Sequence, residues 1–147
     1  MARNTATNET GGFSEDERAA MKERALEAKT AKKRGAKADG EADLLAKVAE
    51  MPEPDRSMAT RLHALIKVSA PDLAAKTWYG MTAYAKDGDV LVFFQPASKF
   101  KARYSTLGFN DKANLDDGKM WPTAYALTEL APADEQRIAQ LVRRAAG

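Results

Sequence analysis

Lys76-Thr-Trp-Tyr-Gly-Met-Thr-Ala-Tyr84, followed by the Asp87-Gly88 pair and then Val90-Leu-Val-Phe-Phe94, is the stretch on which the fold turns. Two runs rich in aromatic and β-branched residues are separated by Lys-Asp-Gly-Asp, and Gly88 tolerates the positive φ that a tight turn between twisted strands requires. The segment therefore reads as a β-hairpin. Strict alternation along residues 76 to 84 places Trp78, Gly80, Thr82 and Tyr84 on one face and Tyr79, Met81 and Ala83 on the other. Further strands are expected near residues 101 to 107 and 121 to 128, giving a mainly antiparallel meander of about four strands.

Helices surround this core in the sequence. Ser14 and Glu17 have capping-box spacing, so a first helix starts near Glu15 and runs to the basic cluster before Gly35. Its only large apolar residues are Met21 and Leu26, which predicts an exposed, loosely docked helix. Residues 41 to 51 carry Leu44, Leu45, Val48 and Met51 at helical spacing, and Pro52 with Pro54 ends that run. Residues 55 to 70 align Met58, Leu62, Leu65 and Ile66 as a central core helix, closed by Pro71. A last helix opens at Pro132 and aligns Ile138, Leu141, Val142 and Ala145. Helices, strands and a closing helix define an α+β fold with helices on one sheet face. The domain plan is an arm at 1–13, taken as disordered, a charged helix at 14–38 and a single α+β domain at 39–147.

The 147 residues suffice for one modest core. Lysine and arginine number 23 against 21 acids, so a net charge of +2 points to local rather than long-range electrostatic recognition. With no cysteine, thiolate catalysis and sulfur-ligated metal are excluded, and a reducing cytoplasm is the expected compartment. No apolar run reaches the length of a membrane span.

Ala70-Pro-Asp-Leu73, Trp78-Tyr-Gly-Met81 and Ala83-Tyr84, with the glycine turn and aromatic strand that follow, resemble the YdhG-like family, a bacterial family with a frataxin-like architecture. The resemblance spans about residues 40 to 145. Thr82 stands where the family pattern commonly has proline, and the segment 98 to 104 lacks a histidine often found at the start of the third strand. The resemblance implies a cytoplasmic binding protein, and iron as a cargo, because some members are described as iron chaperones. No other cofactor is implied.

Several residues carry candidate chemistry. Trp78, Tyr79, Tyr84 and Trp121 are the aromatic candidates for a ligand or partner, with Gly80 lowering the wall between Trp78 and Tyr84 to leave a shallow cleft. Ordinary sheet packing accounts for the same aromatics. Lys99, Lys101 and Arg103 alternate along the expected third strand, so they form a cationic stripe for an anion or single-stranded nucleic acid, or simply its solvated side. Lys29, Lys32, Lys33, Arg34 and Lys37 form a second basic cluster suited to nucleic acid or an acidic protein partner. An interaction module built on these two clusters is the alternative to the YdhG-like binding protein.

For hard cations the acids are Glu41, Asp43, Glu50, Glu53 and Asp55 around the second helix, and Asp111, Asp116 and Asp117 in a long loop. That loop is not an EF-hand, since Ala113 and Leu115 occupy positions that need oxygen ligands. His63, the only histidine, flanks the core stripe and reads as a packing residue. No serine lies in a recognisable nucleophile context, so an enzyme is disfavoured. The expected assembly is a monomer or weak homodimer.

Overall fold

The computed structural model describes residues 14–34 and 40–147, with the side chains of 28–34 outside the description. The arm at 1–13 and Lys37 thus lie outside the described residues, as do the side chains of Lys29, Lys32, Lys33 and Arg34. Among the described residues the elements are α1 (Glu15–Arg34), α2 (Gly40–Ala49), α3 (Asp55–Ser69), β1 (Ala74–Trp78), β2 (Met81–Lys86), β3 (Asp89–Gln95), α4 (Ala97–Phe100), β4 (Ser105–Phe109), β5 (Ala124–Leu127) and α5 (Pro132–Ala146). The strands form one antiparallel sheet in the order β1-β2-β3-β4-β5. The α+β class and antiparallel meander expected from the sequence are present, with five strands instead of about four.

The extra strand comes from a turn inside the opening segment. Tyr79 and Gly80 have φ of 55° and 79°, and Trp78 pairs directly with Met81, so a two-residue turn reverses the chain there. Positive φ at both central positions matches the twist of the flanking strands. Asp87 and Gly88 repeat the device between β2 and β3, with φ of 52° and 86°. The continuous strand read over residues 76 to 84 is therefore a hairpin, and its face assignment changes. Trp78, Met81, Ala83 and Ala85 share the outer face, whereas Thr82 and Tyr84 turn inward. At Tyr84/Ala85 a bulge absorbs Leu91 as an extra residue on β3, and Leu91 joins the core.

The inner sheet face carries Tyr84, Val92, Phe94, Leu107, Phe109 and Leu127, on which pack Leu44 and Val48 of α2, Met58, Leu62 and Ile66 of α3, and Ile138 and Val142 of α5. Phe94, Leu44, Leu62, Leu107 and Val142 are essentially sealed from solvent. Gly40 lets the start of α2 approach β1: a Cβ there would lie 2.2 Å from the Ala75 carbonyl oxygen. The outer face holds a smaller cluster, with Trp78 and Phe93 over Ala83, Ala85 and Val90. Phe93 lies across Gly108, where an added Cβ would meet its ring at 2.2 Å.

Helix α1 opens with the expected reciprocal cap: the Glu17 N–H donates to Ser14 Oγ at 3.1 Å and the Ser14 N–H to Glu17 Oε1 at 2.9 Å. Met21 and Leu26 are exposed, while Ala20 is buried. The helix is nevertheless docked, through Ala20 and through polar contacts of Glu23 and Glu27. None of the described helices is long and apolar enough to cross a membrane.

Candidate functional site

The loop 110–123 between β4 and β5 is pinned to the body of the fold. Ala113 and Leu115, the residues that spoil a calcium loop, are core anchors, and the Asn114 N–H donates to the Ala145 carbonyl at 3.0 Å. The loop thereby delivers Trp121 and Pro122 to the flank of α5. There they meet Tyr125 of β5 and a helix stripe of Arg137, Gln140, Leu141 and Arg144, together lining a hollow of about 280 Å³ with Leu115 and Asp117. The helix period places positions spaced by three, four and seven on one side, which is why these four residues converge. The Arg137 guanidinium stands 5.3 Å from the centre of the Tyr125 ring, and Arg144 donates to the Asp116 carbonyl at 3.2 Å. Neither guanidinium is in an ion pair among the described residues. A wall of two aromatic rings beside two guanidinium groups suits a planar ring that carries negative charge.

Of the ligand or partner candidates singled out in the sequence, only Trp121 lies here, and of the loop acids considered for hard cations Asp117 joins it. Trp78 and Tyr79 sit at the β1–β2 tip, with ring centres 5.1 Å apart, and Trp78 leans on Phe93 at 5.3 Å. Tyr84 is buried on the opposite face, 3% exposed, so the Trp78–Tyr84 cleft does not form. Lys99, Lys101 and Arg103 are not on a strand, which corrects the expected cationic stripe. Pro96 and the short helix α4 take up this segment, Lys101 is left-handed with φ 55°, and β4 begins only at Ser105. The Asp55 carboxylate drives this arrangement by accepting the Ser98 N–H at 3.0 Å and the hydroxyls of Ser98 at 2.6 Å and Ser105 at 3.1 Å.

The face Arg137, Gln140, Leu141 and Arg144 was not singled out in the sequence, where Leu141 belongs to the apolar stripe and Arg144, in the last turn, is explained by the helix dipole. Only the neighbouring aromatics give them a second meaning.

The acids considered for iron are spread among other partners. Glu41 accepts from Lys67 Nζ at 2.7 Å and lies 2.8 Å from His63 Nε2, and these two neighbours hold its carboxyl below the usual range. Glu53 pairs with Arg56 and Ser57. Asp55 is enclosed by its serines. Among the described residues, no three histidine or acidic side chains are grouped to hold a metal ion. His63 also meets the Tyr84 hydroxyl, with Nδ1 to oxygen 3.0 Å. A proton on Nε2 satisfies the whole bridge: Tyr84 donates to Nδ1, and Nε2–H donates to Glu41. Burial first, and the Glu41 charge second, push the Tyr84 hydroxyl far above its ordinary value, which keeps it a donor.

A second polar assembly joins α1 to the sheet tip. The Glu23 carboxylate bridges Lys47 of α2, at 2.8 Å, and Lys99 of α4. Glu27 Oε2 accepts the Gly80 N–H at 3.2 Å, and Arg24 stands 6.0 Å from the centre of the Tyr79 ring. Burial pushes the Glu23 carboxyl up, but the two ammonium groups together outweigh it and hold it below its usual value. At Glu27 burial prevails and the carboxyl is raised, despite the Gly80 N–H and the Thr77 hydroxyl.

The chain is thus an α+β protein with a five-stranded antiparallel meander, α2, α3 and α5 on one face and this hollow at its periphery. Compared with protein-family models, curated proteins and solved structures, the chain has no match in any of the three.

Proposed function

We propose that this is a binding protein, of the YdhG-like kind, for a flat and negatively charged small molecule held in the hollow between Trp121, Tyr125 and α5. The observation that carries the reading is the convergence of Arg137 and Arg144 with two aromatic rings around one space of about 280 Å³. That volume is near the lower end for small-molecule pockets, about 300 Å³ and upward, so it fits a single ring system with a carboxylate or phosphate better than an extended ligand. Trp121 and Tyr125 supply the ring contact; Arg137 and Arg144 supply charge-assisted hydrogen bonds.

Titration with benzoate, an indole carboxylate and a purine mononucleotide, followed by the Trp121 indole N–H and Tyr125 amide resonances, tests this. Saturable shifts are expected for at least one probe, and Arg137→Ala or Arg144→Ala should weaken binding about tenfold, the low end for a hydrogen bond to a charged group because both side chains are exposed. Unchanged resonances with all three probes refute it. Iron handling, which the YdhG-like resemblance implies, is tested separately by titrating ferrous and ferric iron: broadening confined to the acids around α2 supports it, and the absence of any localised broadening rejects it.

A further inference from the structure

Helix α1 meets the rest of the protein in an unusual way. Its large apolar residues face solvent, with Met21 44% and Leu26 63% exposed, while Glu23 and Glu27 point inward. Glu23 takes two lysines that come from different elements, and Glu27 takes a backbone N–H of the β1–β2 turn. Gly80 can offer that N–H because a positive φ of 79° leaves it uncovered, and no Cβ intervenes; one would lie 2.4 Å from Lys99 Cε. The Glu27 contact is incomplete, since among the described residues no hydrogen bond reaches its buried Oε1, and the Thr77 hydroxyl acts on this carboxylate only from nearby. Beside this seam lies a cavity of about 330 Å³ lined by Lys47, Lys99, Gly80, Ser98 and Glu50, with Met51 and Pro52 on its wall.

We infer that Lys47 Nζ, Lys99 Nζ and the Gly80 N–H form a binding site for a phosphate-bearing small molecule, which α1 fills with its own Glu23 and Glu27 carboxylates. Two ammonium groups and a backbone donor held within reach of one point are the recurring elements of phosphate recognition. The helix acts as an internal competitor. A multivalent anion entering through the adjoining cavity offers more charge to the same lysines than one carboxylate does, and it displaces α1. Among the described side chains little apolar contact opposes the displacement: Ala20 is buried, but Met21 and Leu26 are exposed and neither joins the core.

Titration of the full chain with inorganic pyrophosphate, against sodium chloride of matched ionic strength, tests the proposal through the Gly80 amide and the Lys47 and Lys99 Nζ resonances. Glu23→Gln removes the one carboxylate shared by both lysines, leaving Glu27 on Gly80 and Glu50 at 3.4 Å from Lys47, and should tighten pyrophosphate binding about tenfold, within the usual range for coupling between two sites. Glu129→Gln, an exposed change of the same charge outside the seam, should leave it unaltered. Lys47→Gln with Lys99→Gln should abolish it. Equal tightening by Glu129→Gln, no tightening by Glu23→Gln, or binding that survives loss of both lysines overturns the inference. The Trp121 hollow is untouched by these variants, so the two readings fail independently.

Discussion

Replacing Asp55 by alanine should be among the most damaging polar substitutions in this protein. Asp55 is 3% exposed at the first turn of α3, where its carboxylate accepts the N–H and hydroxyl of Ser98 in the β3–β4 connection and the hydroxyl of Ser105 at the start of β4. Hydrogen bonds to a charged group contribute roughly 1.5–3 kcal/mol each, but the two from exposed Ser98 compete with water and fall below that range. Ser105 is 1% exposed, and its hydroxyl already accepts the Ala97 N–H, so truncation strands a buried donor at a cost of about 1–3 kcal/mol. The lost charge at the helix start adds about 0.3–1 kcal/mol. The total is about 3–5 kcal/mol, a large part of the roughly 5–15 kcal/mol that holds a domain folded. Urea unfolding followed by circular dichroism and tryptophan fluorescence would measure it, with coincident transitions confirming two-state behaviour. Asp55→Asn keeps the shape and one acceptor oxygen, and should lose clearly less. A loss below about 1 kcal/mol for Asp55→Ala would refute the idea that this carboxylate organises the connection.

Gly108→Ala should cost about 1–3 kcal/mol by forcing Phe93 off its seat, read as a lower urea midpoint with altered Trp78 fluorescence; an unchanged midpoint would mean the ring moves freely. Docking of α1 should also depend on pH. The folded-state pKa of Glu23 lies below the ordinary carboxylate value of 4.5, so its contribution is fully present above that pH and is lost as pH falls through the depressed folded value. Glu27 acts in the opposite sense: its raised pKa favours the docked state most when the carboxyl is protonated, and that advantage fades as pH rises through the folded value. Amide exchange along α1 between neutral and acid pH, repeated in Glu23→Gln, separates the two. Loss of protection below 4.5 should disappear in the variant.

Much of the architecture could be read locally. The Ser14–Glu17 cap, the apolar stripes of α3 and α5 and the Asp87-Gly88 turn each depend on residues a few positions apart, and each forms as expected. The Tyr79-Gly80 turn was missed because β-favouring residues flank the single glycine closely on both sides, and a tyrosine at positive φ is uncommon. That one omission placed Trp78 and Tyr84 on a common face and added a false cleft. The shift of the third strand had a different origin. Alternation across 99 to 104 imitates a strand, but the Asp55 carboxylate, far away in sequence, gathers Ser98 and Ser105 and leaves the segment as a short helix and coil.

The sequence by itself determined the α+β class, the antiparallel order of the sheet and the helices that cover it, because hydrophobic period, caps and turn residues act over short distances. Only the tertiary structure decided where polar chemistry gathers. Trp121 joins Arg137 and Arg144 because Ala113 and Leu115 anchor the loop, and Glu23 reaches Lys47 and Lys99 because α1 meets α2 and α4 at the sheet tip. Such meetings follow from packing between segments remote in the chain, which no local pattern of residues encodes.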